Sequence, residues 1–279
     1  MIRRVGFMQG RLSPVIDGRI QAFPWSCWAD EFPLAQRHGF RLMEWTLDED
    51  RLRENPLLTR EGQTEIRMLC DRHELTIQSV TGDCFMQAPF WKALGPERER
   101  RGRDFHAVAA GCAAVGISII VIPLVDNGRV DTVGQQDALI DFLTRESAFL
   151  HENRLRVAFE CDYAPADLAR FIGLLDSALF GVNYDIGNSA SLGFDPAEEI
   201  SAYGHRILNV HIKDRVLKGT TVPLGAGNAD FGAVFTALGR LHYAGNYILQ
   251  TARAADGDHA GVLTRYRDMA AGWIQTHGA

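Results

Sequence analysis

At 279 residues and 46% hydrophobic composition, the chain can bury a sizeable core, as one barrel or two modest domains, and nothing in it points to disorder. Its 29 basic and 35 acidic residues give a formal charge of -6, which offers no electrostatic help to a nucleic-acid backbone, so nucleic acid is not an expected partner. The five cysteines, Cys27, Cys70, Cys84, Cys112 and Cys161, are scattered without a CxxC pair and read as free thiols in a reducing compartment.

The opening MIRRVGFMQG runs from arginines into an apolar stretch too short for a signal peptide, and no later run is long enough to span a bilayer. A cytoplasmic protein with no membrane partner is the expectation. Strand-like runs then alternate with helix-like ones. A strand at residues 4–8 precedes a helix at 26–38; strands at 41–45 and 76–81 precede helices at 60–73 and 102–115; strands at 117–123 and 156–160 precede helices at 133–152 and 165–175. The last three units pair strands at 181–185, 206–211 and 246–250 with helices at 196–203, 231–241 and 258–276. Gly39 and Gly116 stand where helices must stop, because glycine accepts a positive φ. GISIIVIP is nearly all apolar, as befits a strand covered on both faces.

Eight such units close a parallel barrel, so the fold class is α/β, a single (β/α)8 TIM barrel over residues 1–279. An open doubly wound sheet would want a GxGxxG after an early strand, and none is present. GAGNAD at 225–230 lacks a preceding strand and reads as a loop. The long connections, 9–24, 46–59, 82–100, 188–195 and 213–228, all follow strands, whereas helix-to-strand turns are short. The active face is therefore the one at the carboxyl ends of the strands.

Four polar residues end strands there: Glu160 after RVAF, Asp185 after VNY, His211 after ILNV and Gln250 after NYIL. An unpaired buried carboxylate is costly, and a metal or a basic partner makes such a position tolerable. Glu160, Asp185 and His211 are ordinary ligands for a divalent ion, and the Gln250 carbonyl could join them, although an amide cannot act as a base. Asp214 could hold the other nitrogen of His211, while Lys213, Arg215 and Arg253 could steady a substrate oxygen or phosphate. Glu44 and Asp83, near the tops of the second and third strands, are candidate substrate-binding residues, with Gln9 and Arg11 just after the first. His73 reads as structural, and Trp25, Phe85, Phe90 and Trp91 could cover a sugar ring or close the barrel mouth.

The chain resembles the xylose isomerase-like barrel superfamily in its sugar and sugar-phosphate isomerase/epimerase branch. The likeness is carried by GFMQGRLSP, GFRLMEW, FE at 159–160, DIGNS at 185–189, HIKDR at 211–215, PLGAGNADF at 223–231 and YILQTAR at 247–253. Members bind one divalent ion, manganese, zinc or magnesium, through Glu, Asp, His and a second Glu. The resemblance assigns the first three to Glu160, Asp185 and His211, and Gln250 falls where the second Glu is expected. In related epimerases the two glutamates face opposite sides of the substrate, so the amide disfavours two-base epimerisation and leaves one-base aldose–ketose isomerisation open.

The implied function is a metal-dependent isomerase or epimerase of a ketose or ketose phosphate working through a metal-stabilised enediolate, with Glu160 and Gln250 at the catalytic positions. Alternatives are a dehydratase or lyase acting on a polyol or keto-sugar acid, an inactive sugar-binding homologue, and a relative of abasic-site endonucleases. The last is disfavoured by net charge and by scarce histidine at strand tops. A homodimer or homotetramer is expected from the resemblance.

Overall fold

The computed structural model describes residues 4–278. Its strands are β1 (Val5–Met8), β2 (Leu42–Leu47), β3 (Thr76–Gly82), β4 (Ile119–Leu124), β5 (Arg156–Cys161), β6 (Phe180–Asp185) and β7 (Ile207–Ile212). A small antiparallel hairpin of β8 (Asp214–Arg215) and β9 (Thr221–Val222) follows, and then β10 (Asn246–Leu249). All neighbours in the main sheet are parallel, and β10 pairs with both β7 and β1, so the sheet closes on itself as the (β/α)8 barrel that the alternating pattern implies.

Parallel neighbours need long crossovers, and helices provide them. They are α1 (Glu31–Arg37), α2 (Arg60–His73), α3 (Asp83–Gln87), α4 (Gly95–Val115), α5 (Val133–Glu152), α6 (Pro165–Gly173), α7 (Ile186–Leu192), α8 (Pro196–Tyr203), α9 (Phe231–Arg240) and α10 (His259–His277). Side-chain caps set several starts: Thr59 accepts from Gly62 N (3.1 Å), Thr132 from Gln135 N, and Asp195 from Ala197 N and Glu198 N. Gly39 and Gly116, at φ +75° and +85°, end α1 and α4 as expected.

Two departures bear on the site. The helix expected at 102–115 begins at Gly95, because Pro96 is harmless in a first turn and Glu97 pairs with Arg100 and Arg101 one turn on. The connections after β3 and β6 are also not irregular. They open at once into the short helices α3 and α7, whose few turns carry too little apolar periodicity to be read. Among the described residues, no helix is long and apolar enough to cross a membrane.

Because successive strand residues face opposite sides, the sheet sorts its side chains into two compartments. The main apolar cluster lies between sheet and helices and includes Trp45, Phe105, Phe159 and Tyr247. Two small clusters, one of Met8, Leu42 and Ile248 and one of Ile119, Val121 and Ala158, stand apart from it. These residues share strand parity with Glu44, Glu160 and Gln250, which places them in the lumen below the polar layer.

A buried carboxylate ties this layer to the helices. Glu199 on α8 accepts from Tyr184 on β6 (3.0 Å), from Tyr203 (2.8 Å) and from Ser189 on α7. Glu199→Ala strands three hydroxyls, each costing roughly 1–3 kcal/mol when buried unpaired. It is expected to lower the urea midpoint with an unchanged slope, and to do so more than Glu199→Gln, which keeps an acceptor. Equal midpoints for the two variants would refute the role given to Glu199.

Candidate metal centre

Strand register brings the predicted ligands together. Asp185 stands beside His211 across the β6–β7 pairing, and Glu160 lies on β5 next to them. One ligand atom from each of Glu160, Asp185 and His211 lies within 4.8 Å of the others, and all three residues are buried. Two carboxylate oxygens and an imidazole nitrogen make a donor set suited to a divalent cation.

Each ligand is held by its second face. Asp185 Oδ1 accepts from Asn188 N (2.8 Å), capping α7, so the carboxylate is fixed by the helix it starts. Its Oδ2 is buried and lies 2.6 Å from the Lys213 ammonium, so it already faces positive charge. Glu160 accepts from Asn188 Nδ2 at Oε1 (2.7 Å) and from Asn183 Nδ2 at Oε2 (2.9 Å).

His211 is wholly buried between carboxylates. Nε2 is 2.7 Å from Glu44 Oε1, and Nδ1 faces the cluster, 3.2 Å from Glu160 Oε2. Glu44 in turn accepts from Ser79 Oγ (2.6 Å) and Asn209 Nδ2 (2.8 Å). A carboxylate behind an imidazole fixes the proton on the far nitrogen and leaves the near one to a metal. Asn209 Nδ2 also donates to Asn183 Oδ1 (2.9 Å), which turns the Asn183 amide so that its Nδ2 stands 3.0 Å from His211 Nδ1.

Charge and hydrogen bonding pull His211 in opposite directions. Burial alone lowers its pKa, but Glu44 first and then Glu160 outweigh it and push it up to about 10. A proton on Nδ1 would nevertheless meet the Asn183 donor. A cation held by Glu160, Asp185 and His211 would supply the positive charge that the proton otherwise brings between these carboxylates. Around it, burial raises Asp185 despite Lys213; for Glu160 burial is outweighed by His211 and Lys213, which hold it below the usual carboxylate range.

Gln250 follows β10, half-buried at the rim; its Oε1 accepts from Lys213 Nζ (2.9 Å) and its Nε2 donates to Gln21 Oε1 (3.1 Å). Asp83 opens α3 and accepts from Gln21 Nε2 (2.6 Å). The other nominated residues are engaged by the protein itself. Arg215 donates to Gly219 O (2.7 Å) and to Asn188 Oδ1 (2.8 Å), and Arg253 donates to the carbonyls of Gly10 and Ser13. Asp214 does not reach His211. It gathers Gly225 N (2.8 Å), Gly227 N (2.9 Å) and Ala229 N (3.1 Å), which shapes the GAGNAD loop, and Glu44 occupies the position behind His211 instead.

Of the aromatics, Phe85, Phe90 and Trp91 are buried in the main core, and Trp25 lies under the Arg51 guanidinium at 4.0 Å. His73 contacts Gln36 Oε1 (2.8 Å), away from the site. Sequence reasoning passed over Gln21, Ser79, Asn183, Asn188 and Asn209. Asn183 and Asn209 were detectable, since each lies two residues before a ligand on the same inward face of an apolar strand.

The model of the xylose isomerase-like TIM barrel family matches residues 32–270, and the chain belongs to that family. It is 32% identical over 84 residues to a putative L-ribulose-5-phosphate 3-epimerase of Escherichia coli K12, covering 28% of this chain and 29% of that protein. It is 25% identical over 142 residues to an inosose dehydratase of Geobacillus kaustophilus, covering 43% of this chain and 46% of that protein. The chain thus spans less than half the length of either curated relative. In fold it is similar to a solved L-ribulose 3-epimerase, with TM-score 0.74 and 15% identity over 98% of this chain and 95% of that one.

With His211 pushed up to about 10, a cation must displace a proton at neutral pH. Mn2+ affinity is therefore expected to rise by up to about tenfold per pH unit between about pH 7 and 9, with proton release seen by calorimetry in buffers of different ionisation enthalpy. An affinity flat over that range would mean that the imidazole is already neutral. Glu44→Ala, which frees His211 to rotate, is expected to weaken Mn2+ binding by about 10–100-fold once the affinities are compared at the high-pH limit, where neither imidazole has a proton to release, and an unchanged limiting affinity would remove Glu44 from the centre.

Proposed function

We propose that the protein is a divalent-metal-dependent isomerase or epimerase of a ketose or ketose phosphate that works through an enediolate. The observation that carries this reading is the convergence of Glu160, Asp185 and His211 at one point of the barrel mouth. The L-ribulose-5-phosphate 3-epimerase and L-ribulose 3-epimerase likenesses support the substrate class.

A cation held by Glu160, Asp185 and His211 supplies positive charge against the oxygens on which charge develops as the proton leaves. Glu160, kept ionised by His211 and Lys213, is the base: its carboxylate takes the proton from the carbon beside the carbonyl, and the bonding electrons move onto the carbonyl oxygen. Asn183 and Asn188 hold that carboxylate by one oxygen each, so it does not rotate away between turnovers. Lys213, between Asp185 and Gln250, brings a further positive charge to the same rim. Glu44, beneath His211, is a positioning residue. Return of the proton to the neighbouring carbon gives isomerisation, and return to the same carbon from the other side gives epimerisation.

Dehydration is the second reading, supported by the inosose dehydratase likeness, since an enediolate can instead expel a neighbouring hydroxyl. The test is a panel of ketoses and ketose phosphates in D2O with Mn2+, read by NMR and mass. Deuterium at the carbon beside the carbonyl with no loss of water supports isomerisation or epimerisation, and a product that has lost the elements of one water supports dehydration. Glu160→Gln is expected to slow exchange by about 10²–10⁴-fold, and exchange that survives it would remove Glu160 as the base.

A further inference from the structure

An enediolate enzyme that inverts a centre needs a second group to return the proton, and Gln250 cannot be that group. Its hydrogen bonds show what it does instead. Lys213 Nζ donates to Gln250 Oε1 (2.9 Å), Gln250 Nε2 donates to Gln21 Oε1 (3.1 Å), and Gln21 Nε2 donates to Asp83 Oδ2 (2.6 Å). The two amides point the same way, and neither orientation is free. Lys213 has only donors to offer Gln250, and Arg11 Nη2, also only a donor, fixes Gln21 Oε1 from the other side (3.3 Å). Like-directed bonds in a sheltered site reinforce one another, so the chain ends with its strongest donor on the Asp83 carboxyl group.

A glutamate at 250 has no N–H to pass to Gln21. In this chain the amide carries the hydrogen bonding from Lys213 across the mouth to Asp83.

We propose that Asp83 is a second catalytic residue, returning a proton to the substrate carbon from the β3 side of the mouth, with Gln250 and Gln21 as the link that holds it in place. This rests on the enediolate reading above. In the step, Glu160 gains the proton of the breaking C–H bond, and the electron pair passes to the carbonyl oxygen. The enediolate carbon then takes the Asp83 proton as its electrons fall back to form the new C–H bond. Glu160 ends protonated and Asp83 ionised, and exchange with water resets both without an oxidant or reductant.

Three further observations agree. Asp83 is half-buried at the rim, and Oδ1 makes no hydrogen bond among the described residues, so one oxygen is available to a ligand. The charged groups facing it are Asp48 from the β2 connection, Glu160 on β5, His211 on β7 and Arg11 from the β1 connection. Burial first, then Asp48, push its pKa up to about 7 against the lowering by Gln21, so it can hold a proton at neutral pH.

The experiment follows deuterium exchange into recovered substrate and product formation separately, across pH, with Mn2+ and the ketose that wild type turns over fastest. Asp83→Asn is expected to keep exchange within about threefold, because Glu160 still acts, while product falls by about 100-fold or more and the limb of the pH profile near 7 disappears. Asp83→Glu is expected to recover part of the product rate. Gln250→Glu, which sequence alone would expect to add a base, is expected instead to lower product about tenfold.

A parallel fall of exchange and product in Asp83→Asn with the pH limb intact, or full product formation, would overturn the proposal. If that variant does not fold, Gln21→Leu decides, since loss of its hydrogen bond must move the limb to higher pH and an unmoved limb rejects Asp83. Wild type without exchange on any sugar would instead remove the enediolate reading, and the proposal with it.

Discussion

The Glu44–His211 contact is the constraint on which the centre depends. An imidazole with no exposed surface and a wholly buried carboxylate meet at 2.7 Å in the lumen, where neither can be left without a partner. Ser79 and Asn209 satisfy the rest of Glu44, and the same Asn209 amide sets Asn183, which in turn sets one oxygen of Glu160. A single directional network thus passes from β2 through β3 and β7 to β6 and β5. The ligand geometry is inherited largely from the barrel itself, and Asn188 on α7 completes it by holding one oxygen each of Asp185 and Glu160.

The rim above is organised differently. Arg11, Arg215 and Arg253 are the cations that a sequence most readily offers to a substrate, yet each holds backbone carbonyls of the long connections. Burial and neighbouring Arg253 lower Arg11 to about 9, a shift that its carbonyl partners and nearby acids make tolerable. Guanidinium groups used in this way turn extended connections into fixed walls. Asp214 does the same with opposite sign, gathering three N–H groups of the glycine loop. Much of the charge at the active face is thus structural.

The eight barrel strands were legible in the sequence as short apolar-rich runs alternating with helix-like stretches, and β4, covered on both faces, as an unbroken one. Glu160, Asp185 and His211 stood out as interruptions of such runs. What stayed hidden depends on contacts between distant segments. Nothing local distinguishes Gln21, in an irregular stretch, from any other loop glutamine, although it joins Asp83 to Gln250 across the mouth. Asp214 looked like a partner for His211 because it is close in sequence, but it lies beyond β7 in the separate hairpin strand β8, turned to the glycine loop, and the true partner lies 167 positions away on β2. Helices α3 and α7 were missed because they are set by the strand ends they grow from more than by any amphipathic pattern of their own.

Asp185 uses one oxygen to start α7 and offers the other to the cluster. Its conservation in relatives would therefore have two independent causes, one architectural and one chemical. A lineage that abandoned the ion would still be penalised for losing this carboxylate, because the helix carrying Asn188 would lose its cap. An aspartate retained here is weak testimony that a distant relative remains an enzyme, and the fate of Glu160 is the better witness.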